Sequence, residues 1–553
     1  MVGWPRLPNI KQEIQDFRLV LPVEESSIAP QGVRTNHDMD PVPPEKRTWT
    51  ASVWVTYWAS DISWQKAASM IQLGLNVPNA IGVTIVGSVI LAAPMVLNGA
   101  IGVKLRVPFP VAIRSSHGYY FSYFPVVSRV IIAFFWFGIQ AWNGGTAMKL
   151  MISAIWPSYK NLPNSLPKSA GFTTQQMVSY FLYWLLSFPF LFIHPTKLRW
   201  LFLFKAIVCP IVALATMAWC LKQASGGGSL LKQPPTVHGE AFSSAWLLSM
   251  TSLIGGYSTV ALNIPDFTRY ARSNKGQWAQ APILPFFYLV TALFGVLSAS
   301  ATQSFYGKVL WSPLDIYDQL WESRAAVFFC SAAWLLAQFS CNISGNSISA
   351  ANDLSTLFPK YLNIRRGQII CAIVGGFGMV PWKVLSSGKV FLNFISSYAI
   401  VLGPFAGLMT ADFYLVKKQT YDVPALYNPH GRYRYAGGFN WRAVITLVVC
   451  IGPNLPGVIN VLNPAIKIGN IKWIYSVSWL FGYLTSITIY TGLSYLFPAH
   501  DSLVEQHISA EDFYAANGRT PSGELISEQN EKSSSEVDKE EGVVAYELPA
   551  SRV

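Results

Sequence analysis

The chain gathers its apolar residues into blocks of about 20, and this spacing restricts its fold more than any other feature. Twelve blocks can be marked, at about 52–75, 80–103, 125–155, 173–193, 199–221, 242–264, 281–304, 325–350, 367–385, 389–415, 441–462 and 473–497. Each is long enough to cross the roughly 30 Å of hydrocarbon in a bilayer. Hydrocarbon offers no partner to a backbone N–H or C=O, so a spanning block must satisfy its own hydrogen bonds, as a helix does. The chain therefore reads as an all-α membrane protein with twelve transmembrane helices. Its composition agrees: 12% of the 553 residues are charged, against about 25% in soluble chains. Block 125–155 exceeds a straight crossing and predicts a tilted helix with an extension.

The first 49 residues are polar, so the first block reads as a span rather than a cleaved secretory signal. Residues 1–49 are expected to form a cytoplasmic arm, 50–497 the transmembrane transporter domain, and 498–553 a disordered acidic cytoplasmic tail. That tail holds 12 acidic and 4 basic residues, too much charge for a packed core. It is also where trafficking or ubiquitylation machinery would act. The net charge of +12 does not point to nucleic acid, because its basic residues gather after even-numbered blocks. Lys104, Arg106 and Arg114 follow block 2; Arg269, Arg272 and Lys275 follow block 6; Lys360, Arg365 and Arg366 follow block 8. This is the positive-inside pattern. It places both termini in the cytoplasm, with the plasma membrane the expected location. The six cysteines lie in apolar blocks without a C-x-x-C pair, as small core residues do. There is no P-loop and no histidine cluster, so neither a nucleotide-driven pump nor a metal-dependent membrane enzyme is indicated. No enzyme activity and no cofactor are expected.

Block 8 and its continuation, AAVFFCSAAWLLAQFSCNISGNSISAANDLSTL at 325–357, place Gln338, Ser340, Asn342, Ser344, Asn346, Ser347 and Ser349 in a spanning helix. Polar groups in hydrocarbon are costly unless partnered. The segment reads as the lining of a site for a polar solute; the competing reading is that its hydroxyls bond only backbone and neighbouring helices. Two spans look broken. Ser60, Asp61 and Ser63 interrupt block 1, and Gly255-Gly256 with Pro265 interrupt block 6. Those blocks hold matching positions in two five-helix halves, which points to an inverted-repeat transporter with its site at the midplane.

Trp136 and Gln140 are spaced i, i+4 and share a helix face. An indole can stack on a flat ring while an amide pairs with its polar edge. Tyr257, just after the glycine pair, is the candidate second face of such a sandwich, and Asn346 a second edge partner. Ala337, Ser340 and Cys341 share one face of block 8. With the free carbonyls of a broken block 1 near Ser60, they form a candidate small-cation site. Asp61 is the acid nearest mid-membrane and the candidate proton relay. Asp38 and Asp40, before block 1, with Arg129 and Lys205 form a candidate salt-bridged inner gate in which Arg129 pairs with Asp40. Solvated charges are the alternative for these four.

The motifs DPVPPEKRTW, VLNGAIGVKLRVPFPVAIRSSHGYYFSYFPVVSRV, FWFGIQ, ALNIPDFTRYAR, NISGNSISAANDLSTLFPKY, YDVPALYNPHGRYRY and GPNLPG resemble the nucleobase–cation symport family 1, and more narrowly its fungal uracil/allantoin/uridine permease branch. The resemblance runs over about residues 38–495. It implies a LeuT-like fold, a 5+5 inverted repeat plus two extra helices. It also implies coupling to protons, with sodium the lesser candidate. The family's stacking Trp and partner Gln fall on Trp136 and Gln140, its helix 6 aromatic on Tyr257 and its helix 8 amide on Asn346. Its cation-site positions fall on Ala337, Ser340 and Cys341, where a hydroxyl is usual at the last. Relatives carry about four more residues between the Ser-Asp pair and the next Trp of helix 1, where this chain has Ile62 and Ser63 before Trp64. The function this implies is proton-coupled import of a nucleobase or related small heterocycle. A transporter for thiamine, a pyridoxine-type vitamin or another nucleoside is the alternative within the fold, and a transport-inactive sensor the alternative outside it.

Overall fold

The computed structural model describes residues 25–31, 33, 35–61, 65–192, 199–385 and 388–520; side chains at a few helical positions, Ser60 and Asp61 among them, lie outside the description. The described residues are helical, with isolated bridges and no strand. Among the described residues, eight helices are long and apolar enough to cross a bilayer. These are α2 (Val77–Leu105), α3 (Tyr123–Ile155), α5 (Leu203–Gln223), α6 (Gly239–Asn263), α7 (Asn274–Tyr306), α8 (Arg324–Leu357), α10 (Asn393–Val416) and α11 (Trp441–Leu462). The other apolar blocks are helical in shorter segments: α1 (Ala51–Asp61), α4 (Thr174–Ser187), α9 (Ile364–Ile373) and α12 (Ser478–Leu496). A last helix, α13 (Ala510–Ala516), follows the bundle.

Two hydrophobic clusters organise the bundle. Trp58, Met95, Ile254, Tyr288, Phe405 and Trp479 join α1, α2, α6, α7, α10 and α12 in one. Phe137, Tyr183, Phe339 and Cys371 join α3, α4, α8 and α9 in the other. α3 belongs to both, because Trp136 and Ile139 turn toward the first cluster while Phe134, Phe137 and Ala141 turn toward the second. Positions on opposite faces of a 3.6-residue helix make it the seam.

Block 6 does not break where its glycines suggested. α6 runs without interruption through Gly255 and Gly256 to Asn263, and the helix ends only at Ile264, ahead of Pro265. Gly255 serves packing instead: a Cβ there would lie 2.9 Å from Ile395 Cγ2 and 3.2 Å from the Ile395 carbonyl oxygen, so its absence lets α6 approach α10. α1 is helical through Ser60 to Asp61, while residues 62–64 lie outside the described residues. Irregular backbone appears elsewhere. α8 takes a wide π turn over Asn342–Ser347, a second lies at Val374–Gly378 after α9, and a third closes α10 at Asp412–Val416. Such turns recur at functional sites.

The tail is ordered well past residue 498. The Ile508 N–H donates to the Tyr421 carbonyl (2.8 Å), and the Val423 N–H to the Ile508 carbonyl (3.0 Å). α13 opens with a capping box on Ser509 and Asp512, two otherwise orphan donors satisfied at once. The expectation of a disordered tail from 498 is thus corrected for 498–520; residues 521–553 lie outside the described residues. The charge-rich composition misled because docking against the 416–440 loop supplies the apolar contacts the tail lacks alone. That loop packs through buried Tyr421, Leu426, Tyr427 and Tyr433. Its root is a buried ion pair, Lys417 Nζ to Asp412 (3.3 Å). Ser115 (2.5 Å), Tyr421 (2.9 Å) and Tyr490 (2.9 Å) also donate to the Asp412 carboxylate.

Candidate functional site

Trp136 and Gln140 lie on the stretch of α3 that faces both clusters. The Trp136 indole N–H donates to the Tyr398 hydroxyl on α10 (3.0 Å), which donates to the Gly255 carbonyl on α6 (3.1 Å). One indole is thereby tied to two helices of the first cluster. One turn later the Gln140 amide donates to Cys341 Sγ on α8 (3.3 Å). Tyr257 is buried beside the Trp58 ring (centroids 6.0 Å) and the Tyr288 ring (5.5 Å).

The π turn of α8 presents the polar edge. Asn346 Nδ2 donates to Asn342 Oδ1 (2.9 Å), and Asn342 Nδ2 donates to the Phe137 carbonyl on α3 (3.1 Å). Gln140, Cys341, Ser344, Gly345 and Asn346 are all partly exposed although they sit midway along spanning helices. Polar groups are not left against lipid at that depth, and here Gln140 and Cys341 meet across the contact of α3 with α8. Ser344 and Ser347 hydroxyls bond backbone one turn earlier (2.9 and 3.2 Å), as the competing reading held for some of the serines. The Ser340 hydroxyl differs: it is buried and has no hydrogen-bond partner among the described residues. Ala337 is buried beside it and Cys341 follows it. The Ser60 and Asp61 side chains, the other half of the expected cation site and the expected relay, lie outside the described residues.

The Arg129–Asp40 pairing is not found. Arg129 is fully buried and grips two other acids. Its Nε donates to Asp353 Oδ2 on α8 (2.5 Å), and its Nη2 to Asp353 Oδ1 and to the Ser349 carbonyl (3.0 Å). Its Nη1 donates to Asp266 Oδ2, just beyond α6 (3.0 Å). The Asn263 amide reinforces the join, donating to Asp266 (3.1 Å) and to Ser349 Oγ (2.8 Å). Phe109 N–H donates to the other Asp266 oxygen (2.8 Å). The cluster therefore ties α3 and α8 to the end of α6. Asp40 instead accepts from the Ser27 N–H (2.7 Å), Ser27 Oγ (2.8 Å) and Ser26 Oγ, holding a turn of the arm together. Asp38 caps the start of α9 by accepting from the Ile364 N–H (3.0 Å). Lys205 is buried on α5, with no carboxylate partner among the described residues. Asp266 and Asp353 were written in the motifs ALNIPDFTRYAR and AANDLSTL. Chain order alone does not show the crossing of α3, α6 and α8 that brings these two acids to Arg129.

Comparison with known proteins completes the description. Residues 41–482 match the family model described as permease for cytosine/purines, uracil, thiamine, allantoin. An uncharacterized permease of Schizosaccharomyces pombe is 37% identical over 484 residues, covering 86% of each chain. The uracil permease of Saccharomyces cerevisiae is 34% identical, covering 84% of this chain and 76% of its own. Among solved structures, the nucleobase–cation symport 1 transporter Mhp1, closed with bromovinylhydantoin bound, superposes with a TM-score of 0.64 at 22% identity, covering 86% of this chain and 97% of that one.

Proposed function

The chain belongs to the family of permeases for cytosine/purines, uracil, thiamine and allantoin, and on that premise we propose that it imports a nucleobase or related heterocycle of the uracil, allantoin and uridine class in symport with protons. It is a multi-pass membrane transporter and not an enzyme. The observation that carries the substrate class is the partly exposed polar strip of Gln140, Cys341, Ser344 and Asn346 beside the Trp136 indole. Trp136 stacks on the ring, Gln140 and Asn346 pair with its amide or imide edge, and Tyr257 closes the far side. Stacking on one base contributes about 1–3 kcal/mol.

Alternating access is the motion that the division of the core would serve. The α3–α8 cluster moves against the α1–α6 cluster, and Arg129–Asp266 is the latch between them on the face that carries both terminal segments. In this reading that face is cytoplasmic and the membrane is the plasma membrane. Asp266 and Asp353 are buried carboxylates held by the same guanidinium. Asp61 and the Asp266–Asp353 pair are the two candidate carriers of the coupled proton. Ala337, Ser340 and Cys341 mark where a sodium ion would sit in a sodium-driven relative, with a thiol as a poor ligand for so hard a cation.

Uptake of radiolabelled uracil, allantoin, uridine and thiamine by cells lacking their own permeases tests the reading. Accumulation of one heterocycle, abolished by a protonophore and unchanged when choline replaces sodium, is the expected result. Sodium dependence would overturn the coupling assignment, and accumulation of thiamine alone the substrate class.

A further inference from the structure

The face that carries both terminal segments holds a cavity of about 450 Å³ that the transport cycle does not use. Three separate stretches of chain wall it. Ile28 comes from the arm, Pro424 and Asn428 from the loop after α10, and Phe513, Asn517 and Arg519 from α13 and the residues behind it. The volume lies in the range of small-molecule sites, about 300–1,000 Å³. Its charge is one-sided. Asp422, the acid on its wall, is already paired with Arg432 at 3.0 Å. Arg519 spends one donor, Nη1, on the Ser27 carbonyl (2.7 Å), and no other donor of that guanidinium is engaged among the described residues. The cavity thus combines a cation with spare N–H groups, an aromatic ring at Phe513, aliphatic walls at Ile28 and Pro424, and two amides with part of their capacity spent: Asn428 Oδ1 accepts from the His430 N–H (2.9 Å) and Asn517 Nδ2 donates to the Phe513 carbonyl (2.8 Å).

We infer that this cavity is a regulatory site for a small organic anion bearing a flat ring, of the nucleoside monophosphate class. A phosphate suits the forked donors of an arginine. A base suits an aromatic wall with amides at its edge. The consequence for transport follows from what the walls are fastened to. Ser27 Oγ lies 2.8 Å from the Tyr514 hydroxyl of α13, and Arg47 pairs with Glu511. The same arm then reaches α8 and α9: Asn36 Nδ2 donates to the Leu362 carbonyl (3.0 Å), Thr356 Oγ1 to Met39 Sδ (3.0 Å), and Asp38 caps α9. A ligand touching all three walls favours the docked arrangement by mass action. It thereby holds the arm against the ends of α8 and α9 and slows their movement. The cytoplasmic sidedness and the slowed movement of α8 and α9 rest on the reading above; the ligand chemistry comes from the cavity.

Calorimetric titration of the purified full-length chain with uridine 5′-monophosphate tests this, with uridine and inorganic phosphate as separate arms and saturating uracil present throughout. Saturable binding at least tenfold tighter than to uridine or to phosphate is expected. Arg519→Ala should weaken it tenfold or more. Ala29→Phe, which fills the cavity from the arm and leaves the arm–tail hydrogen bonds in place, should do the same without lowering the thermal unfolding temperature. No binding, equal affinity for phosphate alone, or undiminished binding in Ala29→Phe would each overturn the inference. Uracil transport plays no part in the readout, so failure here and failure of the transport reading are told apart.

Discussion

Asp266→Asn is the substitution that most directly probes the two-cluster mechanism. Asp266 accepts from Arg129 Nη1, Asn263 Nδ2 and Phe109 N–H. An asparagine offers one acceptor oxygen, so at least one of those donors would face an NH2 group. Arg129 keeps its two-point contact with Asp353, so the guanidinium is not stranded, and the loss is confined to the α3–α6 join. A hydrogen bond to a charged group contributes about 1.5–3 kcal/mol. If the join exists only when this face is closed, the closed population should fall roughly 10- to 150-fold relative to the open one. Amide hydrogen exchange in detergent should quicken by at least tenfold over 263–269 and 349–356, with little change in the α10–α12 pair. Uptake should drop as the gate fails to reclose. Asp353→Asn, which breaks a contact within one cluster, should instead lower expression and unfolding temperature. Unchanged exchange and uptake within twofold of wild type in Asp266→Asn would refute the latch.

Other outcomes follow from the same geometry. Gln140→Ala and Asn346→Ala should each weaken binding of the transported heterocycle by about 1–3 kcal/mol, through a ligand edge left unpaired, read as a rise in uptake KM with surface expression unchanged. Trp136→Ala should abolish uptake, since it removes both the stacking face and the hydrogen bond to Tyr398. Gly255→Ala should cost about 1–3 kcal/mol by overpacking against Ile395, seen as a lower unfolding temperature in detergent. Tail docking should depend on pH through His507, whose Nδ1 accepts from the Tyr421 N–H (3.3 Å). Burial, aided by Lys104, holds its pKa below the usual 6.5 despite Asp512 and Glu511 nearby. A base with a lowered folded pKa stabilises docking above about pH 6.5 and loses that contribution as the pH falls below it, so limited proteolysis near residues 503–510 should accelerate on acidification.

The apolar blocks, their helical state and the polar content of block 8 were determined by the sequence, because a spanning segment answers to its own composition: length sets the crossing and each buried polar group must find a partner. The face shared by Trp136 and Gln140 was equally legible, since i, i+4 spacing is local. What only the tertiary structure decided was non-local. Gly255-Gly256 reads alike as a helix break or a packing notch, and the proximity of Ile395, 140 positions away, selects the notch. NISGNS reads as loose polar helix, yet α8 takes a π turn there while Asn342 bonds to α3. Arg129 had several acids in reach along the chain. The crossing of α3 with α6 and α8 chose Asp266 and Asp353, because a buried guanidinium must be met by charges already brought to its depth. The tail carried a disordered composition, and residues 498–520 became ordered because their partners lie on a loop far earlier in the chain, His507 meeting Tyr421 86 positions away, where no pattern within the tail could show them.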